Sequence, residues 1–126
     1  MISAQKAMKI HRLAQREWAR RSRDLGVSQS EFEYLGAILA QAHRKFEREG
    51  DHGQHLHDIV AELGVTKASA SAMVGKLEGR GLLRRFPCMM DARAYHIILT
   101  DAGRDLLTSA MSIYEAVAEA ANEEQT

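Results

Sequence analysis

Cysteine is nearly absent from this 126-residue chain, Cys88 being the one thiol. A lone cysteine makes no intrachain disulfide and no cysteine-based zinc site, and it fits a reducing interior, so a cytoplasmic setting is expected. Long apolar runs are missing too: none approaches the roughly 20 residues that cross a bilayer. There are no repeats and no low-complexity tracts. No nucleophile–base motif, phosphate-binding glycine loop or firm metal-ligand spacing is present, so neither an enzyme nor a cofactor is expected.

Net charge is absent as well, the formal sum at pH 7 being zero. That sum hides a separation. Between positions 67 and 93, Lys67, Lys76, Arg80, Arg84, Arg85 and Arg93 face only Glu78 and Asp91. From 101 to 126, Arg104 stands alone against Asp101, Asp105, Glu115, Glu119, Glu123 and Glu124. A locally basic segment offset by an acidic tail is expected where one face meets an anionic partner.

What is present is ordinary for a soluble domain: 45% hydrophobic and 27% charged residues. The length suits one domain with a modest core, which pairing with a second copy would reinforce. The arginine-rich start resembles a transit peptide in composition, but Glu17 and Asp24 interrupt it and it leads directly into periodic structure.

Ala7, Ile10, Leu13, Ala14 and Trp18 predict a helix over 4–24, ended by Gly26. Ser28 and Glu31 form a capping-box pattern, flanked by Val27 and Phe32 as a hydrophobic staple. Phe32, Leu35, Ile38, Leu39, Ala42 and Phe46 then continue as the stripe of a core helix. The polar stretch 48–54 reads as a loop. Leu56, Ile59, Val60 and Leu63 mark a short helix. Gly64 permits a left-handed turn, and Thr66 caps a second helix that carries Ala70, Met73, Val74 and Leu77 inward. Gly79 and Gly81 end that helix, and strands at 82–86 and 95–99 flank a tip at 87–93. Thr100 caps a last helix with Leu106, Ala110, Ile113, Val117 and Ala120 on its apolar side.

In order, Leu63-Gly64-Val65, Lys76-Leu77-Glu78, Gly81-Leu82-Leu83, Arg85, Asp91-Ala92-Arg93 and Leu99-Thr100-Asp101-Ala102-Gly103 span roughly residues 55–107. This set resembles the winged-helix regulators of the multiple-antibiotic-resistance-regulator (MarR) family. The resemblance implies a mainly α fold with a small β-hairpin wing: a single winged-helix domain with dimerisation helices at 1–25 and 101–126 around a DNA-binding core at 28–100. It further implies a homodimer that binds a pseudo-palindromic operator in double-stranded DNA, usually as a repressor, with a small-molecule effector or an oxidant altering the spacing of the two heads. The second helix of the motif enters the major groove and the wing reaches the neighbouring minor groove. Arg93 is then the minor-groove probe and Asp91 the residue that steadies the wing.

On the second motif helix, Thr66, Lys67, Ser69, Ser71, Ala72 and Lys76 are left for DNA, the bland alternative being an ordinary wet face. Where relatives often carry a long polar side chain this chain has Ala72, so recognition is expected to lean on thymine methyls or DNA shape. Arg84 and Arg85 read as phosphate contacts or as a solvated pair on a strand. Arg12, Arg16, Arg20, Arg21 and Arg23 read chiefly as a solvated helix face, with flanking DNA or the acidic C-terminal helix as other partners. Trp18, Phe32, Tyr34 and Tyr114 are candidates for a ligand cleft, or equally for core and interface. His43, His52, His55 and His57 invite a metal reading. Their spacing argues against it, because residues two apart near a helix start point to different faces. Cys88 is expected to be an incidental exposed thiol. Relatives often carry a further C-terminal helix, so dimerisation here is expected to rest on residues 2–18 and 106–121. The rival functions are a winged helix that binds another protein and a metal-binding sensor or hydrolase built on the histidines.

Overall fold

The computed structural model describes residues 1–49, 55–87 and 95–123, with the backbone alone over 41–49. In chain order the elements are α1 (Ala4–Arg21), α2 (Gln29–Glu49), α3 (Leu56–Leu63), α4 (Lys67–Gly79), β1 (Leu83–Pro87), β2 (Tyr95–Leu99) and α5 (Asp101–Glu123). The expected class holds, mainly helical with one antiparallel hairpin. Three elements differ in their bounds. α1 stops at Arg21, where the Ser22 amide donates to the Trp18 carbonyl. α2 runs on through Arg48 and Glu49, which had read as loop; both are good helix formers, and polarity alone does not break a helix. β1 starts at Leu83, because the Leu82 amide is still donating back to the Leu77 carbonyl at 3.1 Å.

The chain divides into two compact units. The first comprises residues 1–29 and 108–126. Ser3 opens α1 by accepting the Lys6 amide at 3.0 Å, which satisfies one of the otherwise unpaired amides of the first turn. The buried side of α1, Leu13 and Ala14, packs with Val117 and Ala121 of α5, and Ile10, Tyr114 and Ala120 close round them. Lys6 Nζ donates to the Ala121 carbonyl at 2.6 Å, and Gln29 Nε2 to the Tyr114 hydroxyl at 3.1 Å. Full burial of a leucine or valine side chain stabilises by about 1.5–3 kcal/mol, so this small apolar seam outweighs its polar ties.

The second unit comprises residues 30–107. Leu35, Ile38, Ile59, Val74, Leu77, Leu83 and Ile97 are fully buried and form its core. Between α3 and α4 the chain turns through Gly64, at φ +66°, whose amide donates to the Val60 carbonyl. Thr66 Oγ1 then accepts the Ser69 amide at 3.1 Å and starts α4. The hairpin pairs Leu83 with Leu99, Arg84 with Ile98, Arg85 with Ile97 and Phe86 with His96.

The junction into α5 explains the Leu-Thr-Asp-Ala-Gly motif physically. Thr100 Oγ1 donates to the Gly81 carbonyl at 2.6 Å and accepts the Gly103 amide at 3.1 Å, while the Thr100 amide donates to the Leu82 carbonyl. One hydroxyl both caps α5 and ties it to the turn before β1. Gly103 lies so close to the Leu82 carbonyl that a β-carbon would overlap it.

Candidate nucleic-acid interface

α4 is two-faced. Ala70, Val74 and Leu77 are buried, whereas Lys67, Ser69, Ser71, Ala72 and Lys76 lie on the wetter side. The apolar positions three and four apart claim one side, which leaves small hydroxyls and lysines on the other. No acidic residue lies in the first turn of α4, so its positive helix end and Lys67 act together on an approaching anion. Thr66 Oγ1 also donates to Ser69 Oγ at 2.9 Å, so these two hydroxyls are partly occupied with each other.

The basic residues around this face are not all equally available. Lys76 Nζ lies 3.4 Å from the buried carboxylate of Glu31 in α2, and Arg80 donates to the same oxygen at 3.0 Å. The Lys76 side chain is still 61% exposed, enough to turn outward. Arg85 is more committed: its guanidinium donates to Glu78 Oε1 at 2.8 and 3.1 Å, and its backbone amide to Glu78 Oε2 at 3.1 Å. These bonds hold the Glu78 carboxyl below the usual carboxylate range, against a smaller opposing effect of burial. Glu78 is the sole acid of α4, so Arg85 cancels the one negative charge of that helix and fastens β1 to α4. Arg84, opposite Ile98, is exposed on the other face of the strand.

A cavity of about 360 Å³ opens beside α4, lined by His55, Leu56, His57, Lys67, Ser71, Val74, Arg85, Tyr95 and Ile97. It brings together Lys67, Ser71 and Arg85, three of the residues singled out from sequence, and adds His55, His57 and Tyr95, which were not read as part of that face. Arg93 and Asp91, with Cys88 and His52, lie outside the described residues, as does the side chain of His43.

Among the described residues, His55, His57 and Asp58 place one ligand atom each within 4.8 Å of one another. The expectation that His55 and His57 diverge is thereby corrected: His55 is the residue before the first turn of α3, in extended backbone, and so escapes the helical rotation that separates residues two apart.

In the first unit Trp18 is buried and Tyr114 half-buried; in the second Phe32 and Tyr34 are buried, and burial pushes the Tyr34 hydroxyl up from its ordinary pKa. On α1 the arginines have an organiser that the charge pattern did not reveal. Glu17, itself buried, receives Arg21 at 2.8 Å, with Arg16 at 3.5 Å and Arg20 at 3.8 Å. No described helix is long and apolar enough to cross a membrane.

The MarR family model matches residues 44–95, so the resemblance carried by the ordered motifs holds. Among solved structures, MepR of S. aureus in complex with DNA is 19% identical, with a TM-score of 0.75 over 98% of this chain and 85% of that one. The reduced form of MarR from E. coli is 16% identical, with a TM-score of 0.77 over 100% and 87%. Bordetella bronchiseptica BpsR, described with regulation of its DNA binding by 6-hydroxynicotinic acid, is 22% identical, with a TM-score of 0.65 over 93% and 83%. These likenesses show the winged-helix fold. No curated protein matches the chain in sequence.

Proposed function

We propose that this chain, with its MarR-family winged helix, is a transcriptional regulator that binds double-stranded DNA as a homodimer in the cytoplasm. The observation that carries the reading is the wet face of α4: Lys67, Ser69, Ser71, Ala72 and Lys76, with an acid-free first turn and the one acid of the helix neutralised by Arg85. Such a surface suits phosphates at its edges and close approach of small side chains to bases. The DNA complex of S. aureus MepR, a protein of the same fold, supports it.

In this mechanism α4 lies in the major groove. Thr66 and Ser69 sit where the helix start meets the backbone, Lys67 and Lys76 take phosphates, and Ser71 and Ala72 approach the base edges. Arg84 reaches phosphate from the strand, while Arg85 chiefly holds the wing against α4. Arg93 enters the minor groove and Asp91 steadies it. The two copies pair through α1 and the later turns of α5, and their α4 helices meet half-sites about 10 to 10.5 base pairs apart, as two-fold symmetry demands. Binding of this kind blocks transcription. A small effector would release it, a reading supported by BpsR, whose ligand regulates its DNA binding.

The test is selection of bound duplexes from a random pool, followed by affinity titration of the winners against salt. An enriched inverted repeat with a steep salt dependence is expected, and Arg93→Ala should weaken its binding while leaving the fold intact. No enrichment and salt-independent behaviour would instead make this a winged helix that binds another protein.

A further inference from the structure

The imidazoles missing from the DNA reading gather in one corner of the second unit. The ring of His55, just before α3, packs at a tilt against His57, centroids 5.4 Å apart, and against His96 of β2 at 4.6 Å, and Phe86 stacks on His96 at 5.3 Å. Asp58 completes the group: its Oδ2 accepts the His55 amide at 3.0 Å and its Oδ1 lies 3.4 Å from His57 Nε2. We propose that this corner binds a divalent transition-metal ion, with His55, His57 and Asp58 as ligands, water in the remaining position, and the His96 ring packed against His55 as its support.

The donor set argues for the class of ion. Two imidazoles and a carboxylate suit zinc, copper, nickel or cobalt, whereas magnesium and calcium prefer oxygen throughout. Geometry is close to what such an ion needs. Zinc binds nitrogen and oxygen at about 2.0–2.2 Å, and a tetrahedral arrangement then sets donors about 3.3 Å apart. The His57–Asp58 pair at 3.4 Å already meets that spacing. The remaining separations lie within 4.8 Å; the one between His55 and His57 closes as the His57 ring turns, that side chain being 77% exposed. The Asp58 bond to the His55 amide is half of a capping box in which the His55 ring accepts the Asp58 amide in return, so one carboxylate oxygen is fixed and the other is turned to His57.

Opposing charges are few. The start of α3 disfavours a cation, but Asp58 stands in that first turn and offsets it. Lys67 and Arg85 line the adjoining cavity; Arg85 is neutralised by Glu78, and Lys67 is exposed to screening solvent. The site owes nothing to the DNA reading, since it rests on three side chains and the rings packed around them.

The experiment is a titration of the metal-free full-length protein with Zn²⁺ in competition with a chromophoric chelator, repeated with Co²⁺ to read the coordination geometry from its visible absorption. One ion per chain is expected, with the cobalt spectrum of a four-coordinate site. His57→Ala removes an exposed ligand without touching the core and should weaken binding by about tenfold or more. His11→Ala, on the exposed side of α1, should leave it unchanged. Absence of binding would overturn the proposal. So would binding that survives His57→Ala but is lost in His43→Ala or His52→Ala, which would assign the ion to other histidines.

Discussion

Gly103 is the residue with least room for change. Its α-carbon rests against the Leu82 carbonyl, so Gly103→Ala sets a gain of about 1 kcal/mol in helix propensity against an overlap with backbone that cannot swing aside. Overpacking of this kind costs about 1–3 kcal/mol, so the expected result is a lower melting temperature in circular dichroism. An unchanged or raised value would mean that the α5 junction yields easily. Glu17 makes a different prediction. The hydrogen bond from Arg21 lowers its pKa most, burial works in the opposite direction, and the charges of Arg21, Arg20 and Arg16 add to the lowering. A carboxylate whose folded pKa is depressed contributes stability above its unfolded pKa and loses it as pH falls through the folded value. Glu17→Gln should therefore melt earlier than wild type at neutral pH, and the two should converge below the ordinary glutamate range, about 4.3. A gap that persists in acid would assign the loss to packing. The spacing of Arg20 and Arg21 from Glu17, three and four residues on, was visible in the sequence. The burial that makes Glu17 the organiser was not, because it depends on what packs over α1.

Among the elements, α3, α4 and the hairpin were legible because glycine, threonine and a switch of periodicity mark their ends: Gly64 and Thr66 between the helices, Gly81 before β1, Thr100 before α5. The end of α2 was not, since charged residues serve both helices and loops. The wet side of α4 was also legible, but the partners of its neighbours were not. Glu31 is far in sequence from Lys76 and Arg80, and Glu78 lies across the Gly81 turn from Arg85, so only folding shows that these two acids hold the three cations. The histidine corner was illegible for the same reason, β2 bringing His96 to His55 across forty-one positions of chain. At this scale the DNA proposal makes a graded prediction. Lys67→Ala should weaken operator and random duplex by similar factors and reduce the slope of log affinity against log salt by about one. Loss confined to the operator would move Lys67 from phosphate to base contact.

For the whole molecule, the separation of charge was legible in the sequence, and the second copy belongs to the proposed mechanism. Ile2, Met8 and Met111 are large apolar side chains left exposed in the first unit, where the proposed pairing would cover them. Met8→Glu is expected to shift sedimentation towards the monomer and, with it, to weaken operator binding. A dimer that persists with normal affinity would place the pairing surface elsewhere. Association of another kind is guarded against by Glu78. In the hairpin the Thr100 amide bonds to the Leu82 carbonyl, so by alternation the Arg85 amide points away from β2, outward from the sheet. An outward amide is where a foreign strand would add, and Glu78 already occupies it. The one acid of α4, awkward on a basic face, thus closes a β-edge against recruitment into larger sheets, and its removal should show first as a loss of solubility on storage.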